Sequence, residues 1–437
     1  MKISVIGCGY LGAVHAAAMA ELGHEVVGID VDSNKVAALA AGRAPFFEPG
    51  LPELLLAGVE SGRLSFTTDM SAVKGAKVHF IAVGTPQRKG EHAADLTYVD
   101  AAVDSLIPYL SAGDLVAGKS TVPVGTAARL ASKVADAGSG AMLAWNPEFL
   151  REGFAVLDTI SPDRLVYGLP SGEQHALAKD HLDEVYATAL SKDTPLVVTD
   201  YATAELVKVS ANAFLATKIS FINAMAEIAE VTGADVTQLA DAIGYDARIG
   251  RRFLNAGVGF GGGCLPKDIR AFTARAEELG RGESVAFLKE VDAINLRRRQ
   301  KVVDSVVAAL DGDVFNKRVA VLGLAFKPDS DDIRDSPALD VAAQLKGLGA
   351  DVIATDPEAI DNARRTHPQL AYTTDLEEAF TGAAAVVVVT EWKLYRAFSP
   401  ARALQLASGS VIIDGRNCLD ATAWRAAGWT YQGLGRP

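Results

Sequence analysis

The run Gly261-Gly262-Gly263-Cys264-Leu265-Pro266-Lys267-Asp268 places a cysteine at the mouth of a helix, in a chain that opens with Gly7-Cys8-Gly9-Tyr10-Leu11-Gly12. A thiolate adds to an aldehyde, and the resulting thiohemiacetal can lose a hydride to a nicotinamide, leaving a thioester that water cleaves. The two runs together describe a route from an alcohol to a carboxylate on one polypeptide. A cysteine taken alone is more often an inert small hydrophobe. Here three glycines permit close ligand approach, and Pro266 suits the first turn of the apolar-periodic segment Ile269-Arg270-Ala271-Phe272. A thiol there feels the helix dipole and Lys267, and Asp268 in the same turn could position or deprotonate the hydrolytic water.

These residues need elements to hold them. Ile3 to Ile6 reads as a strand, Ala13 to Leu22 as a helix of small residues, and Glu25 to Asp30 as a second strand. This βαβ pattern implies a parallel sheet. A lone G-x-G-x-x-G is weak, but this one follows a strand, opens a helix and has Asp30 eighteen residues beyond Gly12. Gly7 then makes the tight turn, Gly9 lets the backbone approach a pyrophosphate, and Gly12 allows close helix–strand packing. Asp30 would accept from ribose hydroxyls and repel a 2′-phosphate, which selects NAD over NADP.

Gly84-Thr85-Pro86, Lys119 to Thr126 and Asn146 to Gly153 each follow an apolar segment of strand length, namely Phe80 to Val83, Leu115 to Ala117 and Met142 to Trp145. Residues past the carboxyl ends of strands line the crevice of an open α/β sheet, so Thr121 and Glu148 are site candidates. Glu148 could handle protons at a sugar or water, or be a helix-start carboxylate. Ala202 to Thr232 reads as one long helix ending at Gly233. Lys208 and Asn212 share a face of it, whereas Lys218 points elsewhere. Lysines on helices are usually solvated; paired with Asn212, Lys208 could polarise a substrate oxygen or hold an oxyanion.

The last third is a weaker echo of the first. Val319 to Phe326 is a strand running into a glycine turn, Asp351 to Asp356 a strand ending in Asp, and Val386 to Val389 and Val411 to Ile413 supply more. Without G-x-G-x-x-G this half suits a smaller nucleotide rather than a second dinucleotide. Lys327, Arg334 and Arg416 stand at turns where cations suit phosphates or carboxylates.

The 437 residues suffice for about three domains. A net charge of -12 argues against binding to nucleic acid or an anionic membrane surface. With no signal-peptide pattern and no bilayer-length apolar run, the expected location is cytoplasmic. Three widely spaced cysteines fit a reducing compartment, and the histidines lack metal-ligand spacing, so no metal is expected.

Taken together, the N-terminal glycine motif, Gly84-Thr85-Pro86, Lys119 to Pro123, Asn146 to Leu150, Lys208 to Asn223, Gly259 to Asp268 and Gly323 to Ser336 resemble the UDP-glucose/GDP-mannose dehydrogenase family over essentially the whole chain. The resemblance implies an α/β fold of two Rossmann-like doubly wound domains joined by a long central helix. Its parts are an NAD-binding domain over 1–200, a central helical and dimerisation domain carrying the cysteine over 201–300, and a UDP-sugar-binding domain over 301–437. It implies NAD as cofactor, Cys264 as nucleophile, and Lys208, Asn212, Asp268, Thr121 and Glu148 around the sugar C6. Gly7, Gly9, Tyr10, Leu11, Gly12, Asp30, Lys35, Thr85, Pro86, Thr121 and Glu152 would contact the cofactor. The sugar nucleotide would meet Glu148, Phe149, Leu150, Lys208, Asn212, Phe253, Gly261, Lys327 and Arg334, with Arg248 reaching in from a neighbouring subunit of a homodimer or higher homo-oligomer. The stretch Ala211 to Asn223 looks most like the UDP-glucose branch, which implies a four-electron oxidation of UDP-glucose to UDP-glucuronate. Relatives that act on GDP-mannose or N-acetylated UDP-sugars share the Cys-Leu-Pro-Lys-Asp run. A regulator that kept the fold and lost the chemistry is the non-enzyme alternative, which intact Cys264, Lys208 and Asp268 disfavour.

Overall fold

A computed structural model describes residues 1–437. The chain forms two compact units, Met1–Ala211 with Ala274–Gly280, and Asn212–Thr273 with Arg281–Pro437. The helices Tyr201–Thr232 and Leu265–Glu278 run through the division. No helix is long and apolar enough to cross a membrane.

The first unit is built on β1 (Lys2–Ile6), β2 (Glu25–Ile29), β3 (Leu64–Thr67), β4 (Val78–Ile81), β5 (Leu115–Gly118), β6 (Met142–Trp145), β7 (Leu165–Gly168) and β8 (Leu196–Thr199). They form one sheet in the order β3-β2-β1-β4-β5-β6-β7-β8, parallel except where β6 meets β7. Strands β4 to β7 are buried along their whole length, because helices cover both faces. Strand order reverses between β1 and β4, which opens a crevice at their carboxyl ends.

The first helix spans Tyr10–Glu21, three residues ahead of the expected Ala13 start. Gly9, in extended conformation, caps it, so Gly12 falls within its first turn. A Cβ on Gly12 would lie 1.8 Å from the Gly7 carbonyl oxygen, so only glycine lets this helix pack on its own entry turn. Gly7 makes that turn at φ +90°. Strand β2 ends one residue and β4 two residues before the expected run, leaving Asp30 just past β2 and Val83 past β4.

The second unit carries β9 (Arg318–Leu322), β10 (Asp351–Thr355), β11 (Ala371–Tyr372), β12 (Ala385–Val388), β13 (Val411–Asp414) and β14 (Thr430–Gly433), all parallel. Their order, β11-β10-β9-β12-β13-β14, is that of a dinucleotide-type fold. Val302, Val303 and Val306 of the helix Phe287–Ala309 join the core of this sheet. Ala213 and Ala216 of the long helix pack with Phe260, Ile269, Leu288 and Val291, seating the loop that precedes Cys264.

Candidate active site

In the first unit the glycine turn and Asp30 form one device. Gly7 donates its N–H to the Ile29 carbonyl at 2.8 Å, which closes the turn on β2. Buried Asp30 accepts from the Cys8 amide at 2.8 Å and the Asp32 amide at 3.0 Å, and pairs with the Lys35 ammonium at 2.8 Å. A Cβ on Gly9 would meet nothing within 4 Å, so packing within the protein does not require glycine at this helix N-terminus. These features suit a dinucleotide whose ribose meets Asp30. Leu11 is half-buried in the first turn of the helix.

Tyr10 takes a more structural place than its motif suggests. Its hydroxyl donates to Glu48, whose carboxylate accepts from the amides of Gly153 at 2.6 Å and Ala155 at 2.7 Å. Burial pushes the Tyr10 phenol far above its ordinary range. Glu48, which sequence reasoning missed, thus braces the turn beside buried Glu152. On the other side of the crevice, Thr85 donates to the Thr121 carbonyl at 2.8 Å, while Pro86 is exposed.

Glu148 is not a helix-start carboxylate: it lies in an irregular stretch ahead of the helix Ala155–Ile160. Its Oε1 accepts from the amides of Phe149 at 2.8 Å and Leu150 at 3.1 Å, and Oε2 lies 3.1 Å from the Lys119 ammonium. The Phe149 ring carries two cations, the Arg164 guanidinium at 3.9 Å and the Lys208 ammonium at 5.4 Å. Lys208 is half-buried rather than fully solvated. One turn before it, buried Glu205 accepts from the amides of Gly125 at 2.8 Å and Ala127 at 2.7 Å. Glu205 therefore ties the Lys208 helix to the segment after Thr121, and burial raises its pKa.

In the second unit Cys264 is exposed directly before the helix Leu265–Glu278, its carbonyl accepting from the Asp268 amide at 3.0 Å. The Asp268 side chain is buried. It accepts from Asn212 Nδ2 at 2.6 Å and pairs with Lys267 Nζ at 2.5 Å. Asn212 stands one turn beyond Lys208 on the long helix. Gly261 is dictated by contact, since a Cβ there would lie 2.3 Å from the Asp335 carbonyl oxygen, whereas one on Gly263 would meet only the Arg334 guanidinium, the far end of a flexible side chain. Arg334, against Gly263, pairs with Asp332 at 2.7 Å, and Lys327 sits over the Phe326 ring.

Arg416 departs from expectation. Its guanidinium donates to the carbonyls of Val389, Gly259 and Phe326 at 2.8–2.9 Å and pairs with Glu391 at 3.2 Å, so it ties loops together instead of awaiting an anion. Arg248 is largely exposed and forks onto Asp246. Lys218 holds the same loop by donating to the carbonyls of Ile249 and Gly250 at 2.9 and 3.1 Å. Phe253, at φ +65°, ends it.

The second sheet reproduces the first turn and then abandons it. Gly323 donates to the Thr355 carbonyl at 2.8 Å, as Gly7 does to Ile29. The next helix, however, begins only at Pro337, and Asp356, the counterpart of Asp30, is saturated. It accepts from the amides of Leu324, Ala325, Glu358 and Ala359 and from the Trp392 indole. With no amide-rich helix start at the turn, this sheet lacks the dinucleotide device.

The NAD binding domain of the UDP-glucose/GDP-mannose dehydrogenase family matches residues 1–190, its central domain 202–297 and its UDP binding domain 320–421. The chain belongs to the UDP-glucose/GDP-mannose dehydrogenase family. Among its relatives, a UDP-glucose 6-dehydrogenase of Rhizobium meliloti is 42% identical over the whole of both chains. The UDP-glucose 6-dehydrogenase TuaD of Bacillus subtilis is 41% identical over all of this chain and 93% of its own. A UDP-glucose dehydrogenase structure from the archaeon Pyrobaculum islandicum superposes with a TM-score of 0.90 at 39% identity, covering 100% of this chain and 98% of that one. In this family member NAD is the cofactor, and the residues that match the family's NAD binding domain include the Gly7 turn and Asp30.

Proposed function

We propose that the protein oxidises UDP-glucose to UDP-glucuronate with two NAD and one water, through a thioester on Cys264. The observation that carries this reading is the second-unit cluster: an exposed cysteine at a helix mouth, four residues from a buried aspartate that an asparagine fixes in place. The similarity to UDP-glucose 6-dehydrogenases over full length supports the choice of sugar.

Bound NAD supplies the hydride acceptor for each of the two oxidations. After the first, Cys264 Sγ adds to the C6 aldehyde, and Lys208 stabilises the oxyanion that forms. Asn212 has a second N–H beyond the one it gives Asp268, and directs it to the same oxygen. After the second oxidation, Asp268 takes a proton from the water that attacks the thioester, and Thr121 and Glu148 orient that water and the sugar. The thiolate leaves and the carboxylate is complete. Tyr10, Leu11, Lys35, Thr85, Pro86 and Glu152 line the cofactor, and Phe149, Leu150, Phe253, Gly261, Lys327 and Arg334 the sugar nucleotide.

In this reading residues 1–200 bind NAD, 201–300 carry the cysteine and a subunit interface, and 301–437 bind the UDP moiety. Phe214, Phe221 and Ile228 are exposed at seven-residue spacing on the long helix, an apolar stripe that suits a homodimer. Arg248 then enters the partner's sugar site. A cytoplasmic setting keeps the thiol reduced and supplies NAD. The test is stoichiometry: complete turnover of UDP-glucose yields two NADH per sugar. An end point of one NADH with aldehyde released sinks the carboxylate-forming reading.

A further inference from the structure

The ammonium of Lys119, which directly follows β5, is only 3% exposed. It donates to Asn146 Oδ1 and to the Tyr186 hydroxyl oxygen, both at 3.0 Å, and pairs with Glu148 Oε2 at 3.1 Å. It also lies over the rings of Phe80 and Tyr186 at 5.6 and 5.5 Å. Tyr186 donates to Asn146 Oδ1 at 2.6 Å, and Asn146 donates to the Val166 carbonyl at 3.0 Å, so the amide is held from both ends.

The surroundings leave Glu148 as the one counter-charge. Burial pushes the Lys119 pKa down, and Glu148 pulls it back up. Tyr186 is held in its neutral form by burial. His15, edge-on to Phe80 at 4.4 Å, is kept uncharged first by burial and then by Lys119 itself. Arg164 and Lys208, the other cations nearby, lie on Phe149. A buried ion pair is a poor way to gain stability compared with apolar packing of the same volume. What it does well is fix geometry.

We propose that Lys119 is a positioning residue for the reaction: it anchors Glu148 Oε2 while the Phe149 and Leu150 amides anchor Oε1, so that the carboxylate meets sugar and water as a preorganised acceptor. Oε1 is filled by the two amides, and Oε2, with Lys119 as its one partner, keeps a lone pair for a hydroxyl or a water. The proposal rests on the reading of Glu148 given above.

Four variants test it, Lys119→Met, Lys119→Arg, Glu148→Gln and the double Lys119→Met/Glu148→Gln, assayed by steady-state NADH formation with UDP-glucose and by thermal melting. Lys119→Met should lower kcat about tenfold or more while KM for UDP-glucose stays within about threefold, and Lys119→Arg should recover most of the loss. In the Glu148→Gln background, Lys119→Met should change kcat by no more than about twofold, because Lys119 acts through Glu148. The double variant should also melt above both singles, having no unpaired buried charge. Equal kcat losses from Lys119→Met in both backgrounds, or a normal kcat in the single variant, overturn the proposal and leave the role of Glu148 standing. A near-normal Glu148→Gln enzyme overturns that role and the proposal together. If Lys119→Met does not fold, the comparison of the double variant with Glu148→Gln still decides.

Discussion

Asn212 donates to Asp268 across 2.6 Å, joining two residues 56 positions apart in sequence beside Cys264. The asparagine is therefore bound up with the aspartate rather than standing only as a partner of Lys208. Removing it as Asn212→Ala should lower kcat by about 10²-fold through the lost oxyanion donor. Stability should fall by about 1–3 kcal/mol, since the buried carboxylate loses a donor. Steady-state kinetics and urea melts measure the two separately; unchanged kcat with lowered stability would reduce Asn212 to a scaffold.

Cys264→Ser should abolish complete oxidation, because an alcohol adds poorly to the aldehyde and an ester is a less reactive intermediate than a thioester. Sugar-nucleotide affinity by calorimetry should stay within about threefold of the parent enzyme. Near-normal NADH production by this variant removes the thiol from the mechanism.

Two glycines of one motif should behave oppositely. Gly12→Ala forces a Cβ to within 1.8 Å of a backbone oxygen and should cost more than about 4 kcal/mol, seen as loss of folded protein. Gly9→Ala meets nothing in the protein, so its melting temperature should hardly move while NAD binding weakens by about tenfold or more. Equal destabilisation by both would undo the assignment of Gly9 to the cofactor.

Asp30→Ala should weaken NAD binding and narrow the preference over NADP. The Lys35 ammonium loses its carboxylate in this variant and is released to attract a 2′-phosphate. Titrating both cofactors by fluorescence tests this, and a parent enzyme that favours NADP contradicts it outright.

Arg248 is exposed and forked onto Asp246, with its loop pinned by Lys218. If it completes a neighbour's site, inactive Arg248→Ala and inactive Cys264→Ala protomers should regain part of their activity on mixing and exchange. No recovery, with subunit exchange demonstrated by mass spectrometry, argues for a site within one chain.

Local patterns in the chain determined much of this protein. The Gly7 turn, the helix after it, Asp30 past β2, the long helix and the cysteine at a helix mouth are legible because turn, capping and periodicity rules act over a few residues. The first helix began three residues early only because Gly9 caps it in an extended conformation. Tertiary structure alone decided which charges meet: Lys119 with Glu148, Glu48 with Tyr10 and Gly153, Glu205 with Gly125, and Arg416 with three carbonyls instead of an anion. Those partners lie tens to hundreds of positions apart, and no local rule links them. They come together because parallel strands deliver their carboxyl ends to one edge of a sheet, and a buried charge there must be matched by whatever the neighbouring loops bring.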